Sequence, residues 1–112
     1  MNITDFEAAS TRAAQLLKAL SNERRLRIVC ELGRGELSVS ELERRVGLRQ
    51  SALSQHLARL RRDGLVTNRR QSQVVYYSLA GEEACRLVET LYGLYRTDPA
   101  PADGSTENDR RP

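Results

Sequence analysis

Gly47 separates two short segments that each carry a complete helix signature, and this punctuation constrains the fold more than any other feature of the chain. Ser38-Val39-Ser40-Glu41 has the spacing of a capping box and opens a helix through Val46. Gly47-Leu48-Arg49 interrupts it, and a second helix runs from Gln50 to Asp63 before Gly64 stops it. Leu53, Leu57 and Leu60 fall at i, i+4 and i+7 of that second helix and make one buried stripe. Two short helices joined by a glycine-containing turn form a helix-turn-helix.

The flanking segments extend the pattern. Thr4-Asp5-Phe6-Glu7 is spaced as a second capping box, and Phe6, Ala9, Ala13, Leu16, Leu17 and Leu20 follow as the stripe of a first helix. Ser21 or Asn22 can cap the next helix, in which Leu26, Ile28, Val29 and Leu32 are apolar, with its end at Gly33 or Gly35. Past Gly64 the period changes: Leu65 to Arg70 and Val74 to Leu79 are β-prone runs around Gln71-Ser72-Gln73, the pattern of a hairpin. Val75, Tyr77 and Leu79 are expected to face the core, with Val74, Tyr76 and Ser78 outward. A last helix spans Glu82 to Tyr95, its two glutamates placed at the positive end. The predicted fold is mainly α with a small β-hairpin, in the order α-α-α-α-β-β-α. Residues 1–96 form the expected domain. Residues 97–112 hold all three prolines and no apolar periodicity, so they are expected to be a disordered tail.

Charge singles out one part of this domain. The chain's net charge is only +3, yet residues 44–73 contain eight arginines and one acid, Asp63, for a net +7. Residues 1–43 hold six basic and seven acidic side chains, and residues 74–96 hold two and three. A solvated helix face normally mixes both signs, so a thirty-residue block of one sign points to a polyanionic partner. The block coincides with the second helix of the helix-turn-helix and the hairpin. Arg49, Gln50, Ser51, Ser54, Gln55 and, a turn later, Arg59 sit at the start and on the polar side of that helix. Such side chains donate and accept at base edges and phosphates, and the N-terminal end of a recognition helix is what enters the major groove. Arg69, Arg70, Gln71 and Gln73 place a basic, polar tip on the hairpin, which suits a wing beside the same groove. Double-stranded DNA is therefore the expected partner. An RNA-binding or non-specific nucleic-acid-binding protein is the alternative. RNA modules stack unpaired bases on aromatic platforms, and here Phe6, Tyr76, Tyr77, Tyr92 and Tyr95 are expected mostly on core or subunit surfaces.

Other chemistries find little footing. His56, the single histidine, lies within the recognition helix without nearby Cys, His or carboxylate partners, so a phosphate contact or packing role outranks a metal site. No nucleophile–base arrangement, phosphate loop or paired-carboxylate cleft can be assembled, and neither enzyme activity, metal nor cofactor is expected. No stretch reaches the ~20 apolar residues of a membrane span, and Met1 to Ala8 carries Asp5 and Glu7 without an apolar run, so no membrane or export role is expected and the expected location is the cytoplasm. Two cysteines, Cys30 and Cys85, are too few for a disulfide framework. Small buried hydrophobes and thiol sensors are the two readings of them.

The segment Glu36 to Leu42, the run Gly47-Leu48-Arg49-Gln50-Ser51-Ala52-Leu53-Ser54-Gln55-His56-Leu57-Ala58-Arg59-Leu60-Arg61, then Gly64-Leu65-Val66 and Tyr76-Tyr77-Ser78-Leu79 resemble the ArsR/SmtB family over about residues 8–96. Within it, Gln50 to Leu57 and Val75 to Ser78 look most like the NolR-, HlyU- and BigR-type subgroup. The resemblance implies a winged helix-turn-helix in a homodimer built from the first and last helices, acting as a repressor relieved by an inducer. The last helix is apolar nearly all round, so Phe6, Ala9, Ala13 and Leu16 with Val88, Leu91, Tyr92 and Tyr95 are the expected dimer interface. The family's metal sites do not carry over. Ser38 and Ser40 stand where arsenic-type sensors have a Cys-x-Cys pair, and residues 82–96 lack the His and Asp of zinc-type sensors. Sulfur-responsive members carry a cysteine matching Cys30, but Arg96 falls at their second position. Cys85 lies eleven residues earlier, about 16 Å along a helix, which argues against a bridge to Cys30. A repressor with no sensor site is thus the alternative to a thiol-directed one.

Overall fold

Helix punctuation falls close to where the sequence places it. A computed structural model describes residues 3–96, so the expected tail at 97–112 lies outside the described residues. The elements are α1 (Ile3–Leu20), α2 (Glu23–Leu32), β1 (Leu37–Ser38), α3 (Val39–Val46), α4 (Gln50–Arg62), β2 (Val66–Gln71), β3 (Val74–Leu79) and α5 (Glu82–Tyr95). Asn22 caps α2, its side-chain oxygen accepting from the amides of Arg24 and Arg25 at 2.9 and 3.0 Å. The capping box of α3 is complete: the Glu41 amide donates to Ser38 Oγ at 3.1 Å, and the Ser38 amide donates to Glu41 Oε1 at 2.8 Å. Backbone and hydroxyl donors hold the Glu41 carboxyl below its ordinary pKa, as a capping carboxylate should be. The other expected box is displaced. Since α1 already includes Ile3, Thr4 to Glu7 lies inside the helix and not at its cap.

Gly47 ends α3 with φ 68°, the left-handed conformation that costs a side chain most, and its amide closes the helix on Glu43 at 2.9 Å. This sharp exit turns the chain so that α4 can cross α3. Gly33 serves differently: a Cβ there would stand 3.1 Å from Val88 Cγ1, so its absence lets the end of α2 approach α5.

The sequence pattern misses β1, which at two residues is too short to show alternation. It pairs with β3, making a three-stranded antiparallel sheet in the order β1-β3-β2 with Leu37 opposite Tyr77 and Ser38 opposite Tyr76. In the hairpin Arg69 faces Tyr76 and Arg70 faces Val75. Tyr77 and Leu79 pack on the core as expected, whereas Val75 and the outward-assigned Tyr76 are both half-buried.

Ile28 and Val29 of α2, Leu42 of α3 and Leu53, Leu57 and Leu60 of α4 form the fully enclosed centre. Burying six such side chains at ~1.5–3 kcal/mol each supplies most of what holds the helix-turn-helix against the sheet. Of the α1 stripe, only Leu16 and Leu20 in its last turns join this core, with Ala19 between them. Val88 of α5 is buried in it too.

Candidate nucleic-acid interface

The stripe Leu53, Leu57, Leu60 pins one side of α4 to the core and thereby fixes what the other side presents. Gln50, Ser51, Ser54 and Gln55 are all exposed on its first two turns. The N-cap residue Arg49 makes no side-chain cap bond and the first turn contains no acid, so the leading amides of α4 keep their donors for an incoming anion. Arg44, Arg49, Arg61, Arg62 and Arg70 make no ion pair among the described residues. Arg61 and Arg62 extend the basic surface toward the end of α4. Only net charge marks them in the sequence, since neither lies on the leading turns.

Three other arginines of the basic block are already engaged. Arg45 bridges Glu31 at 3.3 Å. Arg59, expected at the DNA, turns back along the helix and holds Asp63 at 2.9 Å. Arg69 is bound most fully, to both oxygens of Glu36 at 2.8 and 2.7 Å. This pairing lowers the pKa of Glu36, chiefly through the Arg69 hydrogen bond, and raises that of Arg69. Gln71 accepts a further bond from Arg69 at 2.9 Å, while Gln73 lies exposed in the turn at the wing tip.

His56 belongs to the inner edge of the recognition helix. It stands three residues after Leu53 and four before Leu60, half-buried on the side that meets the core. Burial, then the charges of Arg25 and Arg24 at the start of α2, push its pKa down and favour the neutral ring. No group of three or more metal-ligating side chains occurs among the described residues.

Cys30 and Cys85 are unbridged and half-buried. Desolvation, with the neighbouring Glu31 carboxylate, raises the Cys30 pKa and keeps it as the thiol. Arg24 and Arg25 do not offset this, because they lie toward His56.

The expected intermolecular residues divide into two sets. Phe6, Tyr92 and Tyr95 are 52%, 63% and 75% exposed, and Leu17, also on α1, is 58% exposed. Ala9 and Ala13 are exposed on the same helix, and Leu91 is half-buried. Leu16 and Val88 pack within their own domain, Leu16 beside Ala19 and Leu20 and Val88 beside Ala84 among the residues through which their helices dock on the core. No described helix is long and apolar enough to cross a membrane.

Comparison with known proteins agrees with this geometry. The bacterial regulatory protein arsR family matches residues 22–68, from the cap of α2 into β2. The transcriptional activator HlyU of Vibrio cholerae serotype O1 is 54% identical over 95 residues, which are 85% of this chain and 88% of that protein. The crystal structure of the transcriptional repressor BigR from Xylella fastidiosa superposes with a TM-score of 0.82 at 41% identity, covering 88% of this chain and all of that one. The solution structure of a homodimeric winged helix-turn-helix domain, Mb0332 from Mycobacterium bovis, is similar at a TM-score of 0.69 and 35% identity over 80% of this chain and 84% of that one. The chain therefore belongs to the ArsR family, as a transcriptional regulator with a winged helix-turn-helix DNA-binding domain.

Proposed function

We propose that the chain represses transcription as a homodimer bound to a two-fold symmetric duplex operator. One observation carries this reading: α4 exposes Gln50, Ser51, Ser54 and Gln55 on an uncapped, acid-free helix start flanked by unpaired arginines. Short polar side chains at that place reach base edges, and the arginines supply phosphate contacts. The dimer reading rests on the exposed Phe6, Leu17, Tyr92 and Tyr95, and on the homodimeric state of the Mycobacterium bovis relative. Packing α1 and α5 against their symmetry mates sets two recognition helices about 34 Å apart, one turn of duplex.

Helix and wing divide the labour. Gln offers a bidentate match to adenine worth ~1–3 kcal/mol of discrimination. Gln55→Ala is therefore expected to weaken operator binding while sparing random duplex, with the salt dependence unchanged. Arg70→Ala is expected to weaken both DNAs and to flatten the slope of log K against log salt by about 0.9 for each phosphate it no longer neutralises, doubled in a dimer. Anisotropy titrations of both variants on both DNAs across a salt series test it. Equal loss on operator and random duplex for Gln55→Ala would mean that another face of α4 meets the groove.

A further inference from the structure

Arg69 and Arg70 are neighbours in sequence, yet strand alternation sends them to opposite faces of the wing, Arg69 across from Tyr76 and Arg70 across from Val75. Every nitrogen of the Arg69 guanidinium has an acceptor within the chain. Nε donates to Glu36 Oε2 at 2.8 Å, Nη2 to Glu36 Oε1 at 2.7 Å and Nη1 to Gln71 Oε1 at 2.9 Å. Its plane also lies over the Tyr76 ring, 4.5 Å from the centroid. The Arg70 side chain makes no hydrogen bond or ion pair among the described residues. Glu36 stands immediately before β1, on the far side of β3 from Arg69, so the bridge spans all three strands.

We propose that Glu36 limits the wing's sequence-independent affinity for DNA by masking Arg69, leaving the wing to grip the backbone with Arg70 alone. This rests on the reading that the wing lies against DNA. Glu36 and Gln71 occupy three of the five N–H donors of Arg69 and the bidentate carboxylate balances its charge, so a phosphate gains the full guanidinium charge only by displacing Glu36. The displaced Glu36 carboxylate would then face the polyanion unpaired. A phosphate contact is common to random and operator duplex, so masking Arg69 lowers both affinities alike and leaves the base contacts, which Arg69 does not touch, to separate them. Withholding one phosphate contact therefore limits random binding without erasing the base readout that separates the two. A hairpin with both arginines free would hold all sequences more tightly and with a steeper salt dependence.

The test is a mutant cycle read on random-sequence duplex of about 30 base pairs over a salt series, with thermal melts to establish folding. Glu36→Ala is expected to tighten binding and steepen the salt slope by about 0.9 per protomer, one phosphate for each freed Arg69. Arg69→Ala should keep the wild-type slope, and the Glu36→Ala/Arg69→Ala double variant should return to it. Glu89→Gln on the exposed side of α5 removes the same formal charge as Glu36→Ala and should leave the slope alone, separating a released arginine from a change in net charge. Arg70→Ala reports on the wing itself. If it flattens the slope while Glu36→Ala does not steepen it, the mask is wrong and the wing reading stands. If Arg70→Ala leaves the slope unchanged, the wing does not touch the backbone and the mask falls with it. A flattened slope in Arg69→Ala would also overturn the proposal, since Arg69 would then already be a phosphate contact.

Discussion

Helix α4 and the outer turns of α1 and α5 carry equally plain apolar patterns, but the domain buries only one of them. Leu53, Leu57 and Leu60 are essentially inaccessible, while Phe6, Leu17, Tyr92, Leu94 and Tyr95 are more than half exposed. Periodicity therefore reports that a helix has an apolar face and is silent on what covers it. Around α4 the cover comes from α2 and the sheet of the same chain. On α1 and α5 no part of the described chain covers the exposed residues, and large side chains of this kind fit the proposed dimer surface. On the proposed reading, the part of the molecule that meets DNA is complete within one chain, and the part that would set the distance between two such chains is not.

The strongest way to break this contrast is to make the same kind of truncation in both regions. Leu57→Ala opens a cavity under α4 and is expected to cost ~2–5 kcal/mol of folding stability. The loss should be independent of protein concentration, and operator and random DNA binding should fall together as the recognition helix loses its seat. Chemical denaturation at two protein concentrations reads it. A loss confined to operator binding would mean that Leu57 lies on the reading face and not beneath it.

A smaller effect is expected from Phe6→Ala or Tyr92→Ala. Each should weaken dimerisation by ~1–3 kcal/mol, the usual range for an aromatic anchor at an interface, and leave the fold of one domain intact. Sedimentation equilibrium should show the monomer–dimer transition moving to about 10–100-fold higher concentration. The melting temperature should fall at a given concentration and become less dependent on concentration, since a weaker dimer contributes less stability by mass action. If either variant instead loses stability as Leu57→Ala does, at every concentration alike, its side chain belongs to the domain core and the contrast between the two regions fails.

Much of this arrangement is legible in the sequence because its signals are local. The Ser38–Glu41 box, the Asn22 cap, the Gly47 turn and the α4 stripe each act within a few residues, and the structure has all of them. What the sequence hides depends on distant partners. Glu36 and Arg69 are 33 positions apart, and nothing in either segment says that the pair will meet across a sheet. The net +7 of residues 44–73 counts every arginine alike, yet Arg45, Arg59 and Arg69 are neutralised by Glu31, Asp63 and Glu36. The two-residue β1 is likewise visible only through its pairing with β3. Leu16 and Val88 look like interface residues on a helical wheel, and only the folded packing shows that both touch the core of their own domain.

His56 offers the finest test, because it sits on the border between the buried and the reading sides of α4. Burial and the positive charges of Arg25 and Arg24 depress its folded pKa below the ordinary value of 6.5, so the native state favours the neutral ring. The sign follows from proton linkage. Between the unfolded and folded pKa values the unfolded chain binds the proton more readily, so acidification stabilises the unfolded state. The contribution of His56 is therefore fully present above about pH 6.5 and is lost as the pH falls through its lower folded value. Glu36 and Glu41, whose pKa values are also depressed, give up their contributions only below about pH 4.5, which leaves the interval from pH 7.5 to 5.5 to the single histidine. The melting temperature of the wild type should decline across that interval, and that of His56→Gln should stay level. Were acid to raise the wild-type melting temperature instead, His56 would be gaining a partner on protonation. It would then belong with the cations that face DNA, and not with the leucines beside it.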